Sequence, residues 1–399
     1  MNAALGEAVR HGPAGPARIA RGTVLAAATL TLMAPAIIAP SLPAMRTVFA
    51  DVAGADVLVR LALTITSLAI GLSAPVAGLA ADRLGRKPLL LGSLALYVVA
   101  GVGGYFTGGL AALLVTRALL GLAVGGIMTA ISALITDWFD GPRRASFLGL
   151  QQASASLGGV LFLPLAGVLS AADWKAPFWI YAAGAFVLPF AVIGLREQRR
   201  DSTSGALTAA PGDAPTGIRW PIAGLYLLAF AVTLAFYMAP TQLPFLLTEL
   251  RVGPALVGVV IAVTTLSSVL GALAFPALRS RWSSSLLTAA SIALLGLGWV
   301  VVGTAHTVAQ VVAGLLVGGF GVGLAVPNLN LRLSDLAPVA VRGRILSGLV
   351  TGIFLGQFLS PLLVQPLLRS TGIGGAFLWT GLAMIAGAAL AFVALRKTN

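Results

Sequence analysis

Residues 78–90 read GLAADRLGRKPLL, and they decide the fold: Asp82, Arg83, Arg86 and Lys87 crowd into a short connector between two long apolar runs. Charge this dense between apolar segments of about 20 residues marks a bend lying outside the hydrocarbon of a bilayer. The flanking runs, 57–80 and 89–107, are both long enough to cross one as helices.

The rest of the chain repeats this alternation. At 399 residues, 58% hydrophobic, 9% charged and mean hydropathy +0.99, it has too little polar surface to be solvated by water. Apolar windows predict twelve spans: 22–44, 57–80, 89–107, 109–134, 145–170, 176–195, 220–247, 254–278, 284–303, 308–331, 343–368 and 373–395. The first is too long and too late for a cleaved leader, whose apolar core is about 7–15 residues, and is read as a retained helix.

Basic residues then orient the chain, because Lys and Arg accumulate in cytoplasmic loops. With both termini inside, 19 of the 25 Lys and Arg fall on the cytoplasmic face, among them Arg10, Arg18, Arg21, Arg83, Arg86, Lys87, Arg143, Arg144, Arg196, Arg199, Arg200, Arg279, Arg281, Arg332, Arg342, Arg344, Arg396 and Lys397. Arg46, Arg60, Lys175, Arg251 and Arg369 fall on the other face, and Arg117 lies within a span. The net charge of +13 is thus an orientation signal, with attraction to anionic lipid headgroups as a by-product. Nucleic acid is not the expected partner, since the aromatics sit in apolar spans rather than among the basic residues.

The absence of cysteine excludes disulfides, thiolate metal sites and thiol catalysis. His11 and His306 are the only imidazoles, one in the N-terminal tail and one in an outer loop. No metal, cofactor or clustered enzyme chemistry is expected.

Residues 196–219, REQRRDSTSGALTAAPGDAPTGIR, form the one long polar stretch and read as a flexible cytoplasmic linker. They divide a tail (1–21) and a first six-span bundle (22–195) from a second bundle (220–399). The halves echo each other: Ala39-Pro40 and Leu42-Pro43 return as Ala239-Pro240 and Leu243-Pro244, Pro164 returns as Pro361, and Arg143 to Gly149 returns as Arg342 to Gly348. A doubled six-helix unit is what alternating access about a central site requires.

The connector itself, Gly78, Asp82-Arg83 four residues on, then Gly85-Arg86-Lys87, resembles the loop motif of the major facilitator superfamily. The resemblance covers essentially the whole chain and implies an all-α membrane protein of twelve helices in two pseudo-symmetric six-helix bundles. It also implies a conformational latch. The residue corresponding to Asp82 accepts hydrogen bonds at the start of span 11, and Arg86 bridges to an acid at the end of span 4, here Asp137 with Asp140 as second choice. The competing reading is a solvated basic turn. The matching segment of the second half, 275–287, keeps Arg279 and Arg281 but has no acid, which makes the latch one-sided.

Arg117, in LLVTRALLGLAVGG at 113–126, is similar to the family's span-4 motif of Arg followed four residues later by Gly. An ionised Arg in the membrane costs roughly 2.5–3.5 kcal/mol on insertion scales, so it should meet carbonyls, polar side chains or a wet cavity. Two readings stay open: a structural cation, or a fixed charge facing an anionic substrate. In proton-coupled drug exporters of the family this Arg neighbours an acid in span 1, but residues 22–44 contain neither Asp nor Glu. Asp56 and Arg60 lie one turn apart at the outer end of span 2 and are expected to pair with each other, with a gate role as the alternative.

Span 5 carries SLGGVLFLPLAGV at 156–168, similar to the family's antiporter motif but with Leu163 and Val168 in place of two glycines. Gly159, Pro164 and Gly167, with Pro361 in span 11, are therefore read as packing and kink positions. The candidate substrate cavity is Met33, Arg117, Gln151, Gln152, Phe236, Tyr237, Gln242, Asn330 and Gln357, largely apolar with sparse polar points. Asp173-Trp174-Lys175 and Pro177-Phe178 resemble the outer turn of bacterial exporters, where Trp174 and Trp179 would anchor at headgroup level.

The resemblance to drug and sugar efflux permeases implies a monomeric bacterial inner-membrane transporter with both termini cytoplasmic. It would export a small drug-like or amphipathic molecule by rocker-switch alternating access, with protons as the coupling partner to test. The second reading is a uniporter or exchanger for a small organic anion held by Arg117. A reading from another class is a non-transporting membrane sensor, which would usually carry a folded soluble domain.

Overall fold

The computed structural model describes residues 18–195, 219–338 and 342–396. Among these residues the regular elements are all helical. We number the spans α1 (Arg18–Thr29, Ala36–Ser41 and Leu42–Val48), α2 (Ala55–Leu84), α3 (Arg86–Gly103), α4 (Leu110–Trp138), α5 (Gly141–Ala172) and α6 (Ala176–Ala182 with Ala183–Gly194). The second set is α7 (Arg219–Phe236 with Met238–Glu249), α8 (Pro254–Arg279), α9 (Ser284–Gly303), α10 (Val308–Leu336), α11 (342–371) and α12 (373–396).

Among the described residues ten helices are long and apolar enough to cross a membrane, with mean hydropathy between 1.7 and 2.2. They amount to twelve spans, because the last of them runs through Gly372 as both α11 and α12 and because α1 is too interrupted to be counted. The expected tail through residue 17, the expected linker from 196 to 218, and residues 339–341 at the approach to α11 lie outside the described residues.

Proline decides where the helices break. The expectation of one continuous first helix over 22–44 is overturned: the chain leaves the helix after Thr29, turns through 30–35, and resumes in short tightly wound pieces. Pro35 and Pro40 each lack an N–H, and in a regular helix their rings would press against the carbonyl four residues earlier; Pro43 sits in the first turn of the next piece, where proline is tolerated. In α7, Pro240 would press on Phe236 in the same way as Pro40, and the helix is interrupted at Tyr237. Broken segments inside a membrane protein persist only where partners re-satisfy the freed backbone. The two breaks match the sequence repeat in Pro40 and Pro240, and the pieces that follow are buried throughout, 36–42 in α1 and 238–247 in α7.

The other boundaries follow local rules. Thr307 and Gln310 cap the start of α10 reciprocally, side chain to backbone in both directions, at 3.3 and 3.2 Å. The turn between α11 and α12 is a single residue, Gly372, at φ +74°.

Both bundles share one large core, which includes Ile37, Leu42 and Leu63 from the first and Met238, Leu243 and Ile261 from the second. A separate small cluster of Leu225, Ala229, Leu329, Leu333 and Leu349 belongs to the second bundle alone and lies toward its basic end. We call the side carrying Arg83, Arg86 and Arg143 the basic face, and the side carrying 49–54, 173–175 and Gly372 the opposite face.

Candidate functional site

The connector of the latch motif is shorter than its charge pattern suggests. Helix α2 continues through Asp82 and Arg83 to Leu84, and α3 begins at Arg86, so Gly85 alone makes the turn, at φ +95°. That conformation is open to glycine and strained for other residues. Arg86 Nε lies 3.0 Å from Asp137 Oδ2 at the end of α4, with side chains 14% and 25% exposed. Lys87 Nζ donates to the Val192 carbonyl of α6 at 2.7 Å. Asp82 and Arg83 are exposed in the last turn of α2, and a methyl group on Gly78 would meet no neighbour. The expected partner of Asp82, the start of span 11 at 343, adjoins residues 339–341, which lie outside the described residues.

Arg117 is 1% exposed. Its Nη2 donates to the Ala100 and Gly101 carbonyls at the end of α3, at 3.1 and 2.9 Å. Its guanidinium also lies 4.7 Å from the Phe178 ring centroid and 4.9 Å from that of Tyr181. Here a buried cation is met by carbonyl dipoles and aromatic faces, with no carboxylate beside it among the described residues. The approach depends on glycine, since a Cβ on Gly104 would sit 2.7 Å from Arg117 Nη2.

The same aromatic cluster holds the break in α1. Tyr181 donates to the Ala34 carbonyl at 2.7 Å and Tyr97 to the Leu30 carbonyl at 3.2 Å, and the two rings meet edge to face 5.5 Å apart. Sequence reasoning missed both tyrosines. The available signal was that an apolar span interrupted by Pro35 leaves carbonyls that only another span's hydroxyl can satisfy.

Of the expected cavity residues, Met33, Arg117, Tyr237 and Gln242 are buried; Gln151, Phe236 and Gln357 are partly exposed; Gln152 and Asn330 are exposed. Met33 packs against Gly159 of α5, where a Cβ would come within 2.8 Å of its methyl and 3.0 Å of Thr265 in α8. Asn330 bonds its own helix at the Val326 carbonyl, 3.0 Å away. Gln242 and Tyr237 instead join the bundles: Arg60 Nε donates to Gln242 Oε1 at 2.9 Å, and the Ser67 and Tyr237 hydroxyls are 3.3 Å apart.

Arg60 has a partner that the sequence did not reveal. Its expected partner Asp56 is present, 3.9 Å away with its side chain 61% exposed, while Arg60 itself is 5% exposed and reaches across to α7. Spacing of four shows a neighbour on the same helix but not one on another bundle.

Helices α5 and α8 close the same side through small residues. A Cβ on Gly167 would stand 2.7 Å from the Pro254 carbonyl and 3.0 Å from Gly258 Cα. Pro164 and Pro361 lie inside α5 and α11. In the outer turn, Trp174 packs edge-on against Phe49 and Phe178, while Trp179 is 50% exposed.

The family model described as the Major Facilitator Superfamily matches residues 24–222 and 225–399. A 3-(3-hydroxy-phenyl)propionate transporter of Escherichia coli K12 is 26% identical over 297 residues, 71% of this chain and 70% of that protein. Multidrug resistance protein MdtL of Escherichia coli O127:H6 is 30% identical over 173 residues, 43% of this chain and 44% of that one. A hexuronate transporter of Bacillus subtilis is 32% identical over 108 residues, and the chain spans only 24% of its length. A D-xylose–proton symporter structure superposes with a TM-score of 0.73 at 16% identity, covering 94% of this chain and 96% of that one. A POT family transporter in complex with 5-aminolevulinic acid gives 0.78 at 13%, covering 94% and 95%. These last two likenesses show the fold.

Proposed function

The chain belongs to the major facilitator superfamily and is a multi-pass membrane transporter rather than an enzyme; on that premise we propose that it exports a small amphipathic organic molecule by rocker-switch alternating access. The proposal includes a bacterial inner membrane, the basic face and both termini on the cytoplasmic side, and a working monomer in contact with lipid.

The observation that carries it is an asymmetry. Toward the opposite face, α1 and α7 are buried, Arg60 and Ser67 bond across to α7, and α5 meets α8 through glycine. Toward the basic face, the second bundle closes on a small core of its own. Bundles that meet at the opposite face fit one of the two states that alternating access needs, the one closed at that face. The apolar surroundings of Met33 and Phe236, with Tyr237 and Gln357 as sparse hydrogen-bonding points, suit an amphipathic substrate. The partial likeness to MdtL supports export.

Proton exchange is the coupling to test. The eight described acids, Asp51, Asp56, Asp82, Asp137, Asp140, Asp173, Glu249 and Asp335, all lie in loops or in the first or last turn of a span. A proton carried by one of these acids would use a group at a span end. Purified protein in liposomes, assayed with and without an imposed pH gradient, separates the cases. Gradient-driven accumulation of an amphipathic compound supports antiport; saturable flux indifferent to the gradient removes it.

A second reading, exchange of a small organic anion, is favoured by the likeness to the 3-(3-hydroxy-phenyl)propionate transporter, which is named for an organic anion and aligns over 71% of this chain. It would require Arg117 to leave the Ala100 and Gly101 carbonyls for the substrate. The sensor reading has no support from relatives that are named as transporters.

A further inference from the structure

Arg60 sits in the second turn of α2, where its Nη1 donates to the Asp56 carbonyl at 2.6 Å and its Nε crosses between bundles to Gln242. The guanidinium lies over the Phe245 ring of α7, 4.3 Å from its centroid, and Arg46 of α1 approaches the same ring at 5.1 Å. Both arginines have Asp56 Oδ1 at 3.9 Å, a distance at which a carboxylate with a 61% exposed side chain gives weak compensation. Gln242 is fully buried, and its Nε2 has no hydrogen-bond partner among the described residues. The amide therefore serves one purpose here, to present Oε1 to Arg60.

A guanidinium withdrawn from water and bonded to neutral acceptors is held in place by those acceptors against the pull of hydration. When the bundles separate at the opposite face, Gln242 and Phe245 must leave with the second bundle, and Arg60 must exchange both for water. The strength of this one acceptor thus enters directly into the difference in free energy between the closed and the open state.

We propose that Arg60 and Gln242 form the gate pair of the opposite face, with Arg60 as a positioning residue whose acceptor sets how often that face opens. The inference rests on the alternating-access reading and adds to it the residue pair that sets the balance. Two substitutions at Gln242 shift the balance in opposite directions while Arg60 stays in place. Gln242→Leu removes the acceptor and favours opening. Gln242→Glu makes an ion pair and favours closure; no other bond is lost, because Nε2 makes none.

The chain has no cysteine, so one engineered thiol reports the state without background. Ala39 of α1, fully buried within the 36–42 piece, is the reporter position. We expect Ala39→Cys in detergent-solubilised full-length protein to react with a hydrophilic maleimide about tenfold faster with Gln242→Leu, and about tenfold slower with Gln242→Glu. In an Arg60→Met background the two variants should label at equal rates.

Identical rates for Gln242→Leu, Gln242→Glu and the parent, in protein that elutes as a single folded species, overturn the gate pair. Should Arg60→Met fail to fold, the two Gln242 variants still decide. Labelling needs no substrate, which separates the two proposals. Opposite shifts in a protein that moves nothing would leave the gate and remove the transport reading; normal flux with unshifted labelling would do the reverse.

Discussion

Tyr181 of α6 donates its hydroxyl to the Ala34 carbonyl at 2.7 Å, tying the break in α1 to a residue 147 positions later. The same ring supports the Arg117 guanidinium at 4.9 Å. One side chain thereby joins the unwound segment that contributes Met33 to the buried cation of α4.

Removing that hydroxyl should loosen the first bundle. Tyr181→Phe keeps the ring contacts with Tyr97 and Arg117 but leaves a buried carbonyl without its donor, and should lower stability by about 1 kcal/mol. Tyr181→Ala, which also empties ring volume, should cost about 3–5 kcal/mol. Reversible unfolding in mixed micelles measures both, and equal stabilities for Tyr181→Phe and the parent would show the bond to be idle.

Arg117→Met preserves most of the side-chain bulk and deletes the donors to Ala100 and Gly101. Both carbonyls lose a charged donor, and Gly101 keeps only its bond from the Gly104 N–H; a loss of about 1–3 kcal/mol is expected, accompanied by unchanged substrate affinity in the variant that still folds. A tenfold or greater loss of affinity for an organic anion, with stability intact, would instead select the anion reading.

Gly258 and Gly167 allow α8 and α5 to touch backbone to backbone; a Cβ on Gly258 would press into the Leu163 carbonyl and Gly167. Gly258→Val should push these helices apart, cost about 1–3 kcal/mol through overpacking, and reduce flux in correctly inserted protein. Undiminished flux and stability would mean that the two helices need not approach so closely.

The Arg86–Asp137 pair, 3.0 Å long and partly exposed, should show a modest coupling of about 1 kcal/mol in a double-mutant cycle. Arg86→Gln and Asp137→Asn should each slow turnover, and exchanging the two charges should recover part of it. Additive single effects would leave Arg86 as an ordinary positive-face residue with no latch role.

Much of the fold was legible because it depends on short-range physics. Lipid demands apolar runs of a fixed length, positive charge sorts the loops, and Gly85 occupies a turn that only a glycine makes without strain. The prolines at 40 and 240 announced the repeat, and they mark the broken ends of α1 and α7. The candidate site was legible only in part. Arg117 was identifiable as a buried cation, but nothing along the chain distinguished a substrate-facing charge from one bonded to α3 carbonyls. Gln242 stands out in the sequence as a polar group within a span, but its bond to Arg60 is not visible there.

What the sequence alone determined is the number of spans, their doubling and the sidedness of the charge, all properties of residues near one another or of the solvent around them. The tertiary structure decided which buried polar groups meet. Arg60 finds Gln242, and Tyr181 finds Ala34, across helices whose relative rotation is set by packing of small and bulky side chains over the whole interface. A desolvated donor takes whichever acceptor that packing brings within about 3 Å, and this choice is not written in the spacing of residues on any single helix.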